Sequence, residues 1–421
     1  MRILYSIGIG IYAGGVRIAA LFNNKAKLMA EGWKRTFDSL SEAHLADVRT
    51  AWFHASSLGE FEQARPVLEQ FKRNHPEYKI CVTFFSPSGY EVRKNYADAD
   101  LVCYLPMDTR ANAARLIRLM QPDVAFFVKY DFWFNILGQL ARRGTPTYIF
   151  SAIFRPQQYF FKWYGSWFRK QLKRCYTHLF VQNEESLQLL QSNGITQCSI
   201  AGDTRFDRVH AITQEAKSFP VVEKFIDAHP GAKVIVAGSS WEPDEARLSQ
   251  YLDSNASPIL ILAPHVISGS HLDAIENSLF ATHSCVRYSQ LANGQGDNAA
   301  RILIIDNVGM LASLYRYAHA AYIGGGFGAG IHNILEAVTF GKPVVFGPRY
   351  RKFKEACDII ALGGGFAYDG DGSRLKAILD TLLGDESQYQ AASQICTQYL
   401  SDNLGSTARI LDIVSQQFAA R

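Results

Sequence analysis

Two short stretches of this sequence carry residues that could do chemistry. The first, FHASSLGEFEQARP (residues 53–66), predicts a strand that ends at His54, a turn of small residues, and a helix with Glu60 at its start. Gly59 would let a ligand approach the backbone, and a carboxylate at Glu60 could take a proton from an attacking hydroxyl. Alternatively, Glu60 only stabilises the helix dipole. The residues alone leave both interpretations open.

The second stretch, YIGGGFGAGIHNILEAVTFGKPVVFGP (residues 322–348), places three glycines between a strand pattern and a helix pattern. Such a turn predicts backbone N–H groups and a helix start that face a phosphate. Asn333 and Glu336 would lie on roughly one helix face, where Glu336 could accept both hydroxyls of a ribose. This combination suits a nucleotide-sugar. A tight packing turn with a solvent-facing Glu336 is the alternative.

Two common nucleotide motifs do not fit the glycine run. Gly324, Gly326 and Ala329 satisfy the relaxed dinucleotide fingerprint, but the next strand ends at residues 347–349 without the acidic residue that binds a ribose. A Walker loop fails as well, because Glu336 stands where its first glycine is required.

The elements that must position these stretches alternate along the chain. Apolar strand patterns alternate with helical patterns from residue 48, and the alternation restarts near residue 232. Continuous apolar strands are typical of parallel sheets covered on both faces. The sequence therefore predicts an α/β protein with two Rossmann-like doubly wound domains facing a cleft, with ligands at the carboxyl ends of the strands. The predicted segments are 1–35, 36–208 and 209–421, with a boundary within 203–219 and a last helix that could return to the first domain.

The charge is distributed unevenly over the 421 residues. Residues 1–208 hold 27 Lys/Arg and 18 Asp/Glu, which gives a net charge of +9. Residues 209–421 hold 16 Lys/Arg and 21 Asp/Glu, which gives a net charge of −5. A basic first half indicates an anionic partner there, with chance asymmetry as the alternative. The seven cysteines form no C-x-x-C pair, which favours reduced thiols in a cytosolic protein.

The N-terminus is unusually apolar. Residues 3–16 carry no charge, Arg17 interrupts them, and the apolar stretch then continues to Phe22. A spanning helix needs about 20 apolar residues, a length reached only by including Arg17. We expect residues 1–35 to form a hydrophobic anchor helix and a basic segment that meets anionic headgroups. A buried helix and a cleaved signal peptide are the alternatives.

A third stretch, residues 155–176, interleaves bases and aromatics. This pattern is compatible with nucleic-acid binding. Beside an anchor helix, it favours a membrane-facing site for an acidic glycolipid, with Arg155 and Lys162 as phosphate contacts. A surface helix with solvated charges is the alternative.

Several motifs in collinear order resemble one known family, the 3-deoxy-D-manno-octulosonic acid (Kdo) transferases of Gram-negative bacteria. The resemblance covers almost the whole chain and is strongest in residues 306–348. The motifs are HASSLGE, VTFFSPSGYE, YLPMD, FWFN, IAGDTRFD and the long stretch from DNVGM to VVFGP.

The resemblance implies a GT-B fold with an N-terminal acceptor domain and a C-terminal donor domain. It implies CMP-Kdo as donor, a lipid A precursor as acceptor, and a place on the cytoplasmic face of the inner membrane. Glu60 matches the general base of an inverting transfer. No cofactor, metal or nucleic acid is expected. Donor contacts are expected at Ser239, Ser240, Pro264, His265, Gly309, Met310, Gly326, Asn333 and Glu336. Acceptor contacts are expected at Ser56, Gly59, Ser88, Gly89, Asp131, Arg155 and Lys162.

The sequence departs from the family pattern in two places. The PRHPER element appears as APHVISGSH, which keeps Pro264 and His265 but lacks the arginine. The E-x-E element appears with Lys129 and Asp131. Another GT-B enzyme, either a UDP-sugar transferase or an epimerase, and a non-catalytic membrane-tethered nucleotide-binding protein are the competing functions.

Overall fold

The alternating apolar runs form two seven-stranded parallel sheets in this computed structural model, which describes residues 2–45, 48–214 and 217–419. The predicted α/β class with two doubly wound sheets is confirmed. The cleft between two domains stays a prediction.

The chain divides after Arg208. Unit 1 comprises Met1–Arg208 and Leu404–Arg421, and unit 2 comprises Val209–Asn403. The stretch in which the sequence places the boundary contains this division, although its residues 215 and 216 lie outside the described residues.

The sheet of unit 1 has the strand order β3-β2-β1-β4-β5-β6-β7. All six residues of its central strand β1 are buried, as expected for a parallel strand with both faces covered. The strands are β1 (Thr50–Ala55), β2 (Lys79–Phe84), β3 (Leu101–Tyr104), β4 (Val124–Val128), β5 (Thr147–Ala152), β6 (His178–Val181) and β7 (Cys198–Ile200). The helices are α1 (Arg2–Ala19), α2 (Asn24–Glu42), α3 (Leu58–Asn74), α4 (Pro87–Arg93), α5 (Arg110–Met120), α6 (Phe134–Arg143), α7 (Ser166–Cys175), α8 (Glu184–Ser192) and α9 (Arg205–Gln214), the last of which runs across the division.

The sheet of unit 2 has the order β10-β11-β9-β8-β12-β13-β14. Its strands are β8 (Val234–Ser240), β9 (Ile259–Pro264), β10 (Cys285–Arg287), β11 (Ile302–Ile304), β12 (Ala320–Ile323), β13 (Val344–Phe346) and β14 (Gly365–Ala367). Its helices are α10 (Pro220–Asp227), α11 (Glu242–Ser254), α12 (Gly269–Ala274), α13 (Tyr288–Ala292), α14 (Leu311–Leu314), α15 (Leu335–Val338), α16 (Lys354–Leu362), α17 (Gly372–Gly384) and α18 (Glu386–Asn403).

The last helix, α19 (Ser406–Ala419), belongs to unit 1. Ile410 and Val414 are fully buried in the core cluster that covers one face of the first sheet. Asp207 accepts hydrogen bonds from the N–H groups of Gly405 (2.8 Å) and Thr407 (2.6 Å) at the start of this helix. The segment 209–421 is therefore not one unit, because the apolar face of α19 packs on the N-terminal sheet.

Replacing Asp207 by alanine is expected to lower the free energy of unfolding of unit 1 by about 1–2 kcal/mol, because two N–H groups at a helix start lose their acceptor. Urea denaturation measures this. The matched control is Asp412→Ala, which removes an exposed carboxylate from the same helix. Equal loss in both variants would show that Asp207 does not hold the helix start.

The N-terminal segment is part of unit 1 and not a separate domain. The predicted limit at residue 35 falls inside α2, which continues to Glu42. Tyr5 of α1 donates a hydrogen bond to Asp108 (2.6 Å), and Ala13 is buried against α2. No single helix among the described residues is long and apolar enough to cross a membrane. Residues 3–19 and 24–42 meet the criterion only as a pair, which is bent by 120°.

Candidate active site

Of the sequence-predicted site residues, Glu60 follows β1, Asp131 follows β4 and Gly326 follows β12, which are strands at which the order of a sheet reverses. Others follow neighbouring strands of the two sheets. In unit 1 the order reverses between β1 and β4, and in unit 2 between β8 and β12. Doubly wound sheets bind ligands outside the carboxyl ends of the strands at such a switch point. Each switch point also holds a non-glycine residue in the left-handed region, Lys129 (φ 55°) after β4 and Ser239 (φ 52°) at the end of β8. Backbone strain of this kind concentrates at functional sites.

Glu60 stands in the first turn of α3, directly after β1. The helix begins here because the backbone is extended at Ser57 and because apolar residues with helical spacing bury one face from this point on, among them Phe61 and Leu68. The Ser57 hydroxyl donates a hydrogen bond to the Glu60 carboxylate. Glu60 is half-buried and Gly59 is exposed. A solvent-accessible carboxylate is therefore held at the carboxyl edge of the first sheet.

Asp131 lies beside this turn, in the segment that follows β4. Its Oδ1 accepts a hydrogen bond from the Ser56 hydroxyl, while its Oδ2 is buried without a hydrogen-bond partner among the described residues. Burial, and to a lesser degree the charge of Glu60, raises the pKa of Asp131 to about 8. Burial therefore favours the protonated form of Asp131 near neutral pH, and Glu60 is the more exposed carboxyl group of the two.

His54, at the end of β1, is neutral. Its Nε2 accepts a hydrogen bond from the indole N–H of Trp133 (3.0 Å), so Nδ1 carries the proton and donates to the Thr83 hydroxyl (2.8 Å). Burial lowers the pKa of His54 to about 3. His54 Nε2 lies 3.7 Å from Asp131 Oδ2, but the two groups do not form an ion pair because His54 is neutral. His54 therefore supports the turn after β1 without exchanging protons.

The raised pKa of Asp131 predicts how stability depends on pH. Between about pH 4, the ordinary value of a free aspartate, and about pH 8, the unfolded chain has lost this proton whereas the folded chain keeps it. The wild type should therefore lose stability as the pH rises through this window, by up to about 1.4 kcal/mol per pH unit from this group.

Urea denaturation from pH 5 to pH 8 tests this prediction. Asp131→Asn should remove the part of the pH dependence of the unfolding free energy that comes from this group. Asp38→Asn, which changes an exposed aspartate, should retain it. Parallel pH curves for the wild type and Asp131→Asn would contradict the prediction.

The other predicted acceptor contacts differ in their surroundings. Ser88 is exposed at the start of α4. The N–H of Ser86, just before it, donates to the carbonyl of Ser56 (2.8 Å), so the turn after β2 adjoins the turn after β1. Gly89 is buried, and a Cβ there would lie 2.2 Å from the Phe84 ring. Gly89 therefore has a packing role.

Arg155 and Lys162 are exposed, and neither side chain forms a hydrogen bond or ion pair with a described residue. The structure does not bring them into contact with Glu60. The stretch that contains them is not one helix, since a 3-10 turn at Tyr159–Phe161 precedes α7. Phe160 is buried whereas Trp163 is 92% exposed.

In unit 2, the glycine run follows β12. A Cβ on Gly324 would lie 2.2 Å from the carbonyl oxygen of Ser239, and one on Gly326 would lie 2.6 Å from the Cα of Gly347. Glycine is therefore required here for close backbone packing at the switch point. The N–H of Gly325 donates to Asp244 (2.9 Å).

A short helix follows the glycine run after an intervening loop. α15 begins at Leu335 and has four residues, so its dipole is small. Asn333 precedes this helix and is exposed; its side chain accepts from the N–H of Leu335 (3.1 Å) and donates to Glu336 (3.1 Å). Gly326 alone of the three glycines keeps an N–H without an acceptor among the described residues.

The turn after β8 is stabilised by a buried carboxyl group. The Ser240 hydroxyl is buried and donates to Glu245 (2.9 Å), so this side chain is engaged within unit 2. Glu245 also lies 3.2 Å from His271 Nε2, and burial raises the pKa of Glu245.

Three rings stack beside this turn. His265, which follows Pro264 at the end of β9, stacks on Trp241 with ring centroids 4.6 Å apart and lies 4.7 Å from His332. The indole N–H of Trp241 donates to His332 Nε2 (3.2 Å), and burial lowers the pKa of His332. Sequence reasoning named only Pro264 and His265, because Trp241 and His332 follow other strands. Trp241 is 41% exposed, which leaves ring surface for a base or sugar.

The loop with Gly309 and Met310 reaches the same edge. Gly309 is exposed with φ 91°, and Met310 is buried at the start of α14. Beyond α14, Tyr315 packs on the end of β8, since a Cβ on Gly238 would lie 2.0 Å from its hydroxyl. Burial and the charge of Glu336 raise the pKa of Tyr315. The predicted donor residues thus follow several strands of unit 2, with Ser239 and Gly326 at its switch point and Gly309 after β11.

Comparison with known proteins gives a family resemblance and a fold. The family model for the 3-deoxy-D-manno-octulosonic-acid transferase (kdotransferase) matches residues 31–208. A 3-deoxy-D-manno-octulosonic acid transferase of Aquifex aeolicus is 26% identical over 75% of this chain and 81% of its own length. A transferase of the same name from Chlamydia trachomatis serovar D is 24% identical over 92% of this chain and 90% of its own length. Another from Haemophilus influenzae is 23% identical over 86% of each chain.

Among solved structures, UDP-GlcNAc 2-epimerase from Neisseria meningitidis bound to UDP-GlcNAc aligns with a TM-score of 0.62 and 14% identity, over 87% of this chain and 100% of its own. A putative UDP-N-acetylglucosamine 2-epimerase from Listeria monocytogenes aligns with a TM-score of 0.59 and 14% identity, over 89% of this chain and 98% of its own. These likenesses, with the two parallel sheets, show a two-domain GT-B fold. Residues 31–208 thus match the model of the 3-deoxy-D-manno-octulosonic acid transferase family, and relatives of that name align over most of the chain at 23–26% identity.

Proposed function

We propose that this protein is an inverting glycosyltransferase that moves Kdo from CMP-Kdo to a lipid A precursor in lipopolysaccharide synthesis. The observation that carries this proposal is Glu60 at the first turn of α3, at the switch point of unit 1, beside the buried Asp131. The relatives named as Kdo transferases align over most of the chain, which supports the choice of sugar.

In the proposed reaction, Glu60 takes the proton of the acceptor hydroxyl. The hydroxyl oxygen then forms a bond to the anomeric carbon of Kdo as the bond to the phosphate of CMP breaks, which inverts the configuration and needs only one base. The Ser57 hydroxyl orients the Glu60 carboxylate. Asp131, held neutral by burial, avoids placing a second negative charge beside the incoming acceptor.

The donor is assigned to unit 2. We assign a phosphate contact to the N–H of Gly326, a base or sugar contact to the exposed face of Trp241, and ribose contacts to Asn333 and Glu336. His265 lies between Trp241 and His332. A ring N–H of His265 can donate a hydrogen bond to the leaving phosphate, and so supply part of what the absent arginine would provide.

We also propose that unit 1 rests on an anionic membrane surface through α1. The helix exposes an apolar face at Ile3, Leu4, Ile7, Ile11 and Ile18, each between 53% and 72% exposed. An amphipathic helix with flanking bases lies in the membrane interface. We expect the protein to float with anionic vesicles and not with zwitterionic vesicles.

Purified protein incubated with CMP-Kdo and a tetra-acylated lipid A precursor should produce a lipid heavier by one or more Kdo residues, measured by mass spectrometry. CMP should raise the melting temperature by mass action, and UDP should not. Protection by UDP without protection by CMP would instead favour a UDP-sugar enzyme, in keeping with the ligand named for the Neisseria structure.

A further inference from the structure

A cavity of about 460 Å³ lies in unit 1 where α1 and α2 meet the segment that leads into α5. Its volume is within the roughly 300–1,000 Å³ typical of small-molecule sites. None of its lining residues belongs to the two switch-point sites described above. The cavity is therefore a separate feature of the chain.

The lining is basic on one side. Arg17 comes from the last turn of α1, and Lys27 and Lys34 lie two helical turns apart on α2, with Glu31 between them. Neither a hydrogen bond nor an ion pair engages any of the three basic side chains within the described residues. Three cations and one carboxylate therefore line the cavity, and this excess of positive charge favours an anionic occupant.

The other side of the lining is aromatic and apolar. Phe37 and Met107 are buried. Trp33 is 9% exposed, and its indole N–H is buried without a hydrogen-bond partner. A buried donor with no acceptor is uncommon in folded proteins, and an oxygen-rich group in the cavity would provide the acceptor that the chain lacks.

The cavity adjoins an exposed apolar surface at the end of α1. Ile18, Leu21 and Phe22 are 67%, 75% and 88% exposed and flank Arg17 and Ala20, which line the cavity. An occupant that uses both surfaces needs an anionic head and apolar chains. Inorganic phosphate would use only the basic side.

We propose that this cavity binds the phosphate headgroup of an anionic membrane phospholipid, with the acyl chains along the exposed end of α1. Arg17, Lys27 and Lys34 contact the phosphate, and the indole N–H of Trp33 donates to one of its oxygens. This site does not depend on the transfer reaction, and its test contains neither donor nor acceptor of that reaction.

The test is calorimetric titration of the full chain with dihexanoyl phosphatidylglycerol below its micelle concentration. We expect one saturable site, with at least tenfold weaker binding of dihexanoyl phosphatidylcholine and of inorganic phosphate. Lys27→Gln combined with Lys34→Gln should weaken binding at least tenfold. The matched control, Lys25→Gln with Arg35→Gln, removes the same charge from the same helix outside this cavity. It should change the affinity for phosphatidylglycerol less than twofold.

Trp33→Phe keeps the ring but removes the N–H, and we expect it to weaken binding threefold or more. Thermal melting of each variant verifies folding. Equal weakening by the two double variants would overturn the proposal in favour of diffuse surface attraction. Equal affinity for phosphatidylcholine, or an absence of saturable binding by the folded wild type, would overturn it as well.

Discussion

Glu60→Gln is expected to lower kcat for Kdo transfer by about 10²–10⁴, the usual contribution of a general base. Glutamine preserves the size of the side chain and can still accept the hydrogen bond from Ser57, but it cannot take a proton. The KM for CMP-Kdo should change little, because the proposed donor contacts all lie in unit 2. A loss in kcat with unchanged donor affinity is the pattern of a group that acts only in the transition state.

Two variants sharpen this test. Glu69→Gln makes the same charge change further along α3 and should leave kcat within about twofold of the wild type. Ser57→Ala leaves the carboxylate but removes the hydroxyl that orients it, and should cost less than Glu60→Gln. If Glu60→Gln retained more than a tenth of the wild-type kcat, Glu60 would not be the base.

Gly324→Ala is expected to raise the KM for CMP-Kdo about tenfold or more and to destabilise unit 2 by roughly 1–3 kcal/mol. The added Cβ would lie 2.2 Å from the carbonyl oxygen of Ser239 and 2.6 Å from the Cα of Ser240. Both neighbours are backbone atoms, so β8 and β12 must move apart where the donor contacts converge. The increase in melting temperature produced by CMP should shrink accordingly.

The same glycine run contains a control. A Cβ on Gly328 would meet only the carbonyl oxygen of Gly325, at an ordinary 3.7 Å, and Gly328 is exposed. Gly328→Ala should therefore bind CMP as the wild type does. Equal donor KM values for the two alanine variants would show that the close packing of Gly324 does not shape the donor site.

The sequence predicted much of the fold because the relevant signals are local. Apolar runs of four to seven residues bounded by turns became the strands of two parallel sheets, and the apolar spacing of residues 58–74 became α3. Glu60 could be placed at a helix start for the same reason, since Ser57 and Gly59 are its near neighbours in the chain.

The candidate site was less predictable because its parts are distant in sequence. Trp241 and His332 are 91 residues apart yet share a hydrogen bond, and Asp244 anchors Gly325 from 81 residues away. The strand–glycine–helix pattern predicted a helix after the glycine turn, but not the length of the loop before it. Here the turn closes on its own backbone and on Gly347, which delays the helix to Leu335.

By itself, the sequence determined the α/β alternation, the family resemblance that implied a two-domain GT-B fold, and the placement of Glu60 after the first strand. Only the tertiary structure decided that Asp131 meets Ser56 across 75 residues and is buried deeply enough to keep its proton. It also decided that α19 returns to the first sheet through Asp207, 200 residues from Thr407. Helical and strand periodicity are written in neighbouring residues, whereas burial and charge environment depend on which distant segments pack together.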